Sequence, residues 1–327
     1  MSSTLSIIIP TYNAEQWIGA AIDSALAQSY EDIEVLVFDN ASTDGTAALL
    51  ARYDNPRLKI HIATENVGFA GNVTRGIKAA TGDYFMVLGA DDILEPEFAA
   101  RAVTLLEANP DAALLHGGAI WINDAGTPIG QFEGEWPAES SGDDAFVLTF
   151  TQGFCYSTVV CRTKYVKELG AMDERWGMIS DTWLFLKMCL AGKVLFLKTP
   201  LVQYRVRDSS LSFELYGDGK MFDDHLDGMN EAFGWNGAQH LRPRMAEARL
   251  ALAQQAFDSI HMTRMGVGFR GMLRKSLHVV KTAPAILLSP RAWLRFLIAL
   301  LPKSVIRALR AHRRQLLMQR ATSLDAK

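Results

Sequence analysis

Short apolar runs alternate with polar, helix-like stretches over the first hundred or so residues. Leu5 to Pro10, Ile33 to Phe38, Leu58 to Ile62 and Tyr84 to Leu88 are each too short for a helix and end in polar turns. That pattern predicts four buried strands. Asn13 to Gln16 has the spacing of a capping box, which predicts a helix with Asn13 as its N-cap, reaching about Ser29. A polar turn from Asp39 to Thr46 leads into a second helix. Asn66 to Asn72 opens a third, which stops by Gly82. Strand and helix following each other this closely predict a right-handed, mostly parallel α/β sheet flanked by helices. Ligands of such sheets bind beyond the C-terminal ends of the strands. Thr11, Asp39 and the pair Asp91 and Asp92 all fall at such ends, so polar clusters far apart in sequence are expected to line one crevice.

The pattern continues with a helix from about Pro96 to Asn109. A hairpin is expected between Ala112–Ile122 and Pro128–Gln131, turning at Asn123-Asp124-Ala125-Gly126. The span 133–180 has no clear period, but it carries Trp136, Phe154, Tyr156 and Trp176, suited to a second wall of the crevice. Ser180-Asp181-Thr182 opens an apolar helix, Val194 to Leu197 reads as a strand, and about 214 to 262 reads as helical.

Composition narrows the class. The chain has 327 residues, 49% hydrophobic and 21% charged, which is enough apolar material for a sizeable core. Cys155, Cys161 and Cys189 form no CxxC pair and no zinc spacing, and read as small hydrophobes in a reducing compartment. The first ten residues read as a strand, not as a signal peptide. The net charge is −3 but unevenly spread: from His261 onward there are 14 Lys or Arg and one acid, Asp325, against 19 bases and 35 acids before it. Such asymmetry points the tail at something anionic. No GxGxxG follows the first strand, and there is no Walker A lysine, HExxH or G-x-S-x-G, so dinucleotide, P-loop, zinc-protease and serine-hydrolase chemistries are disfavoured.

Three groups of carboxylates carry candidate chemistry. Asp91 and Asp92 suit a helix N-cap, a structural ion pair, or a hard divalent cation shared with phosphate oxygens. Asp39 suits a cap on the turn at Ser42, or an acceptor for a base or ribose. Asp181, at a helix N-terminus, suits a cap or a general base.

As a set, these segments resemble the family-2 glycosyltransferases of GT-A fold. Ser6 to Glu15 resembles the first strand and loop of that family, and Val35 to Thr46 its second. Asn66 to Asn72, with Arg75-Gly76 and Gly82-Asp83-Tyr84, resembles its third helix and the approach to strand four. The resemblance covers about residues 4–208. It implies that Thr11, Glu15 and Asp39 contact the nucleotide, with Asn66 and Arg75 also donor-binding. It implies that Asp91, with Asp92 beside it, holds Mn²⁺ or Mg²⁺, and that Asp181 is the catalytic base. Tyr204 to Ser212 is similar to a segment that closes near the diphosphate. The sequence departs from the family at three places: Gly89 replaces the first Asp of D-x-D, leaving Ala-Asp-Asp, Ser180 replaces a Glu, and Arg207 stands where His is common. An arginine there could bind diphosphate bidentately.

The expected reaction is inverting transfer of a sugar from a nucleotide diphosphate sugar, UDP- or dTDP-linked favoured, to an acceptor hydroxyl. The expected acceptor is a lipid-linked or growing surface glycan. A sugar nucleotidyltransferase of related fold and a non-catalytic binding scaffold are the alternatives. The expected organisation is a catalytic domain over 1–212 (nucleotide-binding half to about 110, acceptor side from about 111). A helical segment over 213–260 packs on it, and a basic amphipathic helical tail covers 261–327. Arginines 291, 295, 307, 310, 313, 314 and 320 interleave with large apolar residues, which fits interfacial helices at an anionic membrane, the alternative being a tail packed on the body with its charges to water, rather than a span or a nucleic-acid reader. A cytoplasmic, peripheral location at the inner face of the membrane is expected, with homo-oligomerisation left open.

Overall fold

The four apolar runs form strands β1 (Leu5–Thr11), β2 (Ile33–Asp39), β3 (Leu58–Ile62) and β4 (Tyr84–Val87). They pair in parallel in the order β3-β2-β1-β4. The connecting helices are α1 (Ile18–Leu26), α2 (Thr46–Leu50) and α3 (Gly68–Ala79). Gly76 lets α3 approach the sheet, since a Cβ there would stand 2.3 Å from Ile8 Cγ2. Asn13 is not the expected N-cap. Its φ is 49°, α1 starts only at Ile18, and the Asn13 side chain is committed to a neighbouring loop.

The chain continues through β5 (Ile93–Leu94), α4 (Phe98–Ala108), β6 (Ala112–Gly117), β7 (Ala119–Ile122), β8 (Pro128–Phe132), β9 (Glu139–Ser140), α5 (Gly142–Gln152), β10 (Val160–Arg162), α6 (Thr163–Leu169), α7 (Ser180–Ala191), β11 (Lys193–Leu197) and β12 (Val202–Arg205). The main sheet has eight strands in the order β3-β2-β1-β4-β10-β6-β11-β9. It is mixed, with six strands running one way: β10 runs antiparallel to both β4 and β6, and β9 antiparallel to β11. β10 is three residues long, too short to leave a period in the sequence. The span Ala112–Ile122 is likewise not one hairpin arm. It breaks after Gly117, so β6 joins β11 in the main sheet while β7 joins β12, and through it β5, in a small second sheet. The Thr158 hydroxyl holds the break, donating to the Gly117 carbonyl and accepting from its N–H, both at 3.1 Å. The turn itself forms as expected, with Asn123 Oδ1 accepting from the Ala125 and Thr127 N–H groups.

The computed structural model describes residues 3–132, 134–207, 220–306 and 308–309. These divide into two compact units. The first runs to Ile122 and takes in Gln131–Phe146 and Phe154–Arg205; the second holds Asn123–Gly130, Val147–Gly153 and the described residues from Val206 onward. The core of the first unit is the sheet's apolar faces under α1 and α4, with Ile7, Ile9, Val35, Val37, Met86 and Phe98 all buried. One polar knot interrupts it. Glu34 accepts from the Ser6 hydroxyl, Lys59 Nζ, and both the N–H and hydroxyl of Thr81, at 2.7–2.9 Å. Burial pushes this carboxyl up, but the four donors outweigh it and hold it at about 2.

The second unit is built from α8 (Lys220–Ala232), α9 (Met245–Asp258), α10 (Ile260–Gly266), α11 (Gly268–Thr282) and α12 (Pro290–Leu300). Its core is small, with Phe222, Leu252, Phe257, Val279 and Ile286 at the centre. Among the described residues no helix is long and apolar enough to cross a membrane. The expected boundary at 212, the segment from Asp208 to Ser212, and the arginines at 307, 310, 313, 314 and 320 lie outside the described residues.

Candidate functional site

The C-terminal ends of β1 and β2 pair Thr11 with Asp39, and both are buried. The Thr11 hydroxyl donates to the Ile9 carbonyl at 3.2 Å. Asp39 accepts from the Ser42 N–H at 3.1 Å and from the Ser42 hydroxyl, so it does cap that turn. The loops that follow β1 and β2 are stitched together. Asn13 Oδ1 accepts from Thr43 N–H at 2.8 Å, and Glu15 Oε2 accepts from Gly45 N–H at 2.6 Å. The N–H groups of Asn13, Ala14 and Glu15 donate to Ser42, Thr46 and Asp44 in return. Ala41 sits at φ 60° within this weave. A left-handed alanine costs about 1–2 kcal/mol, and the surrounding hydrogen bonds fix it there.

Asn66 Oδ1 accepts from Asn40 Nδ2 and Gly68 N–H, both at 2.8 Å, and so ties the α3 entry to the end of β2. Arg75 lies further along α3, half-buried, with its guanidinium 5.8 Å from the centre of the Phe38 ring. Arg207 is half-buried and belongs to the second unit.

Asp91 and Asp92 do not cap α4, which begins at Phe98 with β5 in between. Asp92 is buried, and both its oxygens are engaged: Ser157 Oγ donates at 2.5 Å and Arg205 N–H at 2.8 Å. Burial first, and then the neighbouring Asp91 carboxylate, push the Asp92 carboxyl up to about 7. Ser157 also accepts from Gly89 N–H, and Arg205 Nε donates to the Asp91 carbonyl. The β4 end, the turn at Tyr156–Thr158 and β12 are thus locked around one buried carboxylate. This explains Gly89. A Cβ there would lie 2.6 Å from Asp92 Oδ2 and 3.3 Å from Asp91 Oδ1, so a third carboxylate has no room.

Asp181 sits in the first turn of α7 and accepts from the Thr182 N–H at 2.7 Å. Burial raises its carboxyl to about 6, against the opposing effect of that hydrogen bond. It is therefore ionised at neutral pH yet basic enough to take a proton.

The sequence pointed at Tyr156 only as wall. Its hydroxyl is buried and has no hydrogen-bond partner among the described residues. Burial, then Asp181, then Asp92 push its hydroxyl well above the usual phenol range, so it feels both carboxylates. Its ring meets Phe69 of α3 at 5.7 Å. Tyr204 is raised by burial and by Asp92, Asp91 and Asp181 among others. Asp92 and Asp181 thus both act on Tyr156, and Asp91, Asp92 and Asp181 all act on Tyr204, which puts the three carboxylates within electrostatic reach of these two hydroxyls. An orphaned buried hydroxyl is a signal that only tertiary structure carries. The expected second wall is partly a core: His116 is caged by Trp136, Phe154 and Phe196, and burial holds it neutral, with its pKa at about 3.

Could these residues hold a metal? Among the described residues no group of three or more His, Cys, Asp or Glu is set to ligate one. With Asp92 committed to Ser157 and Arg205, the donor set centres on the Asp91 carboxylate. That suits a hard cation which takes most of its ligands from substrate phosphates.

Comparison with known proteins follows the same lines. The family model described as glycosyl transferase family 2 matches residues 6–169. That match stops short of Asp181. An uncharacterized glycosyltransferase of Rickettsia felis is 29% identical over 206 residues, 62% of this chain and 34% of its own length. The chain thus spans about a third of the length of that curated relative. Among solved structures, residues 1–349 of S. aureus TarS in complex with UDP superpose with a TM-score of 0.55 at 18% identity, covering 87% of this chain and 91% of that one. The mannosyltransferase PcManGT from Pyrobaculum calidifontis, in complex with GDP-Man and Mn²⁺, also gives 0.55, at 16% identity, over 90% and 86%. At such identities the likeness concerns the fold: a Rossmann-like α/β sheet with mixed strands and C-terminal helices, consistent with GT-A-type enzymes.

Proposed function

The chain belongs to glycosyl transferase family 2, and on that premise we propose that it moves a sugar from a nucleotide diphosphate sugar to an acceptor hydroxyl with inversion at the anomeric carbon. The observation that supports the reading is that Asp181, in the first turn of α7, and Asp92 both act on the buried Tyr156 hydroxyl, with Asp91 next to Asp92. In this reading Asp181 serves as the base and Asp91 serves the leaving-group end, with Asp92 spent on holding the Asp91 loop. A hydrolytic glycosidase would instead need two carboxylates flanking the bond.

In this reading the first unit is a GT-A domain, and the catalytic region extends over residues 1–212. Thr11, Glu15, Asp39, Asn66 and Arg75 form the nucleotide side. Asp39 and Glu15 are bound up in the loop weave, so they hold the nucleotide pocket in shape as well as meeting the ligand. UDP- and dTDP-sugars are the favoured donors. Asp181 accepts the acceptor's hydroxyl proton as that oxygen attacks the anomeric carbon, and the bond to the diphosphate breaks with its electron pair leaving on phosphate. Asp91 would hold Mn²⁺ or Mg²⁺, which when bound offsets the charge of the departing diphosphate. Asp92 fixes the loop that presents Asp91. Arg207 is assigned to the diphosphate as a further cation. The acceptor is a lipid-linked or growing glycan, met at an anionic membrane surface by the basic tail.

Calorimetric titration with UDP, dTDP, GDP and CDP, each with and without Mn²⁺, tests the donor site. Mn²⁺-dependent binding of one of them is the expected result. Failure of all four to bind a folded protein would remove the reading.

A further inference from the structure

The second unit has an inverted helix. On α12 the buried positions are Ala292 and Ala299, while Trp293, Leu294, Leu297 and Leu300 are exposed, as is Leu301 just after it. A helix on a water-facing surface shows the opposite order. On α11 the exposed Leu277 is flanked at helical spacing by the exposed cations Arg270, Arg274 and Lys281. Leu277 is 63% exposed and Leu288, in the turn between the two helices, 85%. An apolar cavity of about 230 Å³ opens between the same elements, lined by Leu273, Val280, Ile286, Trp293 and Phe296. Trp293 is held at its mouth by a 2.8 Å hydrogen bond from Nε1 to the Leu287 carbonyl. No Asp or Glu occurs from Ile260 to Leu309.

Exposed hydrocarbon of this extent requires a partner, and the charge around it selects one. We infer that this face of α11 and α12 inserts into the surface of an anionic bilayer. Trp293 and the leucines lie among the acyl chains, one chain end enters the cavity, and Arg270, Arg274 and Lys281 meet headgroup phosphates. A second copy of the chain would bring cations against cations, which disfavours it as occupant. The inference rests on the membrane-side reading of the tail given above, and is independent of the donor chemistry.

The test is flotation of the full chain with vesicles of phosphatidylglycerol in phosphatidylcholine, and with phosphatidylcholine alone. The protein floats with the anionic vesicles only. The double variant Leu294→Ser/Leu297→Ser, altered at exposed positions that leave the core intact, lowers the partition by about tenfold or more. Brominated acyl chains quench tryptophan fluorescence in the wild type and much less in Trp293→Phe. Absence of flotation overturns the inference. So does flotation that the double serine variant leaves unchanged, which would mean surface charge alone. So does a wild-type dimer that the same variant splits while neither protein floats, which would mean a second copy covers the face. Donor binding in solution, measured on each variant, keeps the two readings apart: it persists when only the bilayer inference fails.

Discussion

The strand-end crevice of the first unit and the α11–α12 face of the second break the usual rule of burial in opposite ways. The crevice hides charge: Asp39 and Asp92 are buried, Asp181 is partly so, and the Tyr156 hydroxyl has no hydrogen-bond partner among the described residues. The helical face exposes hydrocarbon: leucines stand in water over buried alanines. Each arrangement costs folding free energy locally. In the readings proposed above, a polar ligand would complete the first and a lipid surface the second. The difference teaches where to look for function: at the places where a fold keeps a group it cannot satisfy by itself.

The comparison breaks most sharply at Asp181. Asp181→Asn should lower transfer by about 10²–10⁴-fold, the span of a lost general base. Nucleotide binding and vesicle flotation should be unchanged. Loss of nucleotide binding in the folded variant would move Asp181 from base to binding residue. The leucine variants should behave in reverse, losing flotation while keeping turnover of a water-soluble acceptor.

Arg207→Ala comes next. If its guanidinium meets the diphosphate, donor affinity falls about tenfold or more, read by calorimetry. Unchanged affinity and turnover would remove it from the site. Tyr156→Phe separates function from stability. Removing an orphaned buried hydroxyl should raise the melting temperature slightly, by about 1 kcal/mol of stability. Turnover should nevertheless fall about tenfold, because the hydroxyl is kept for substrate. A variant both more stable and fully active would return Tyr156 to the wall.

The pH dependences differ in sign. Asp181 must be ionised to act, so kcat/KM should fall as pH drops through about 6. The same raised pKa means the folded protein holds this proton more tightly than the unfolded chain. Its contribution to stability therefore declines as pH rises from 3.8 through about 6, and Asp181→Asn should flatten that dependence. Glu34 acts oppositely. Its depressed carboxyl contributes stability that is present above 4.5 and lost as pH falls towards about 2. Glu34→Gln should cost about 2 kcal/mol at neutral pH by leaving Lys59 and Thr81 poorly matched, with activity little changed. Thermal melts across pH read both.

Much of this was legible in one dimension. Runs of five or six apolar residues have to be strands when polar turns close them on both sides, and β1, β2, β3 and β4 appear where Leu5, Ile33, Leu58 and Tyr84 begin them. The rule that parallel strands present ligands at their C-terminal ends put Thr11, Asp39 and Asp91 on one edge before any coordinates. The charge imbalance of the tail was a matter of counting. The helical character of about 214 to 262 was read from its period, and α8 and α9 lie within it.

The rest depended on partners distant in sequence. Val160–Arg162 has no strand pattern of its own and becomes β10 because the edges of β4 and β6 need their backbone groups paired. Asn13 has the spacing of a cap, yet its side chain accepts instead from the N–H of Thr43, 30 residues away. Ser157 stands 65 residues from Asp92, and nothing near either residue announces that one will hold the other. Tyr156 looks like any aromatic until its hydroxyl is found unpaired beside two carboxylates. Local pattern determined which segments could form and which ends would be polar, because side-chain period and turn chemistry act within a few residues. Only the tertiary structure decided that Asp39 and Asp92 are engaged by the fold itself, because burial and hydrogen-bond partners are properties of the assembled sheet.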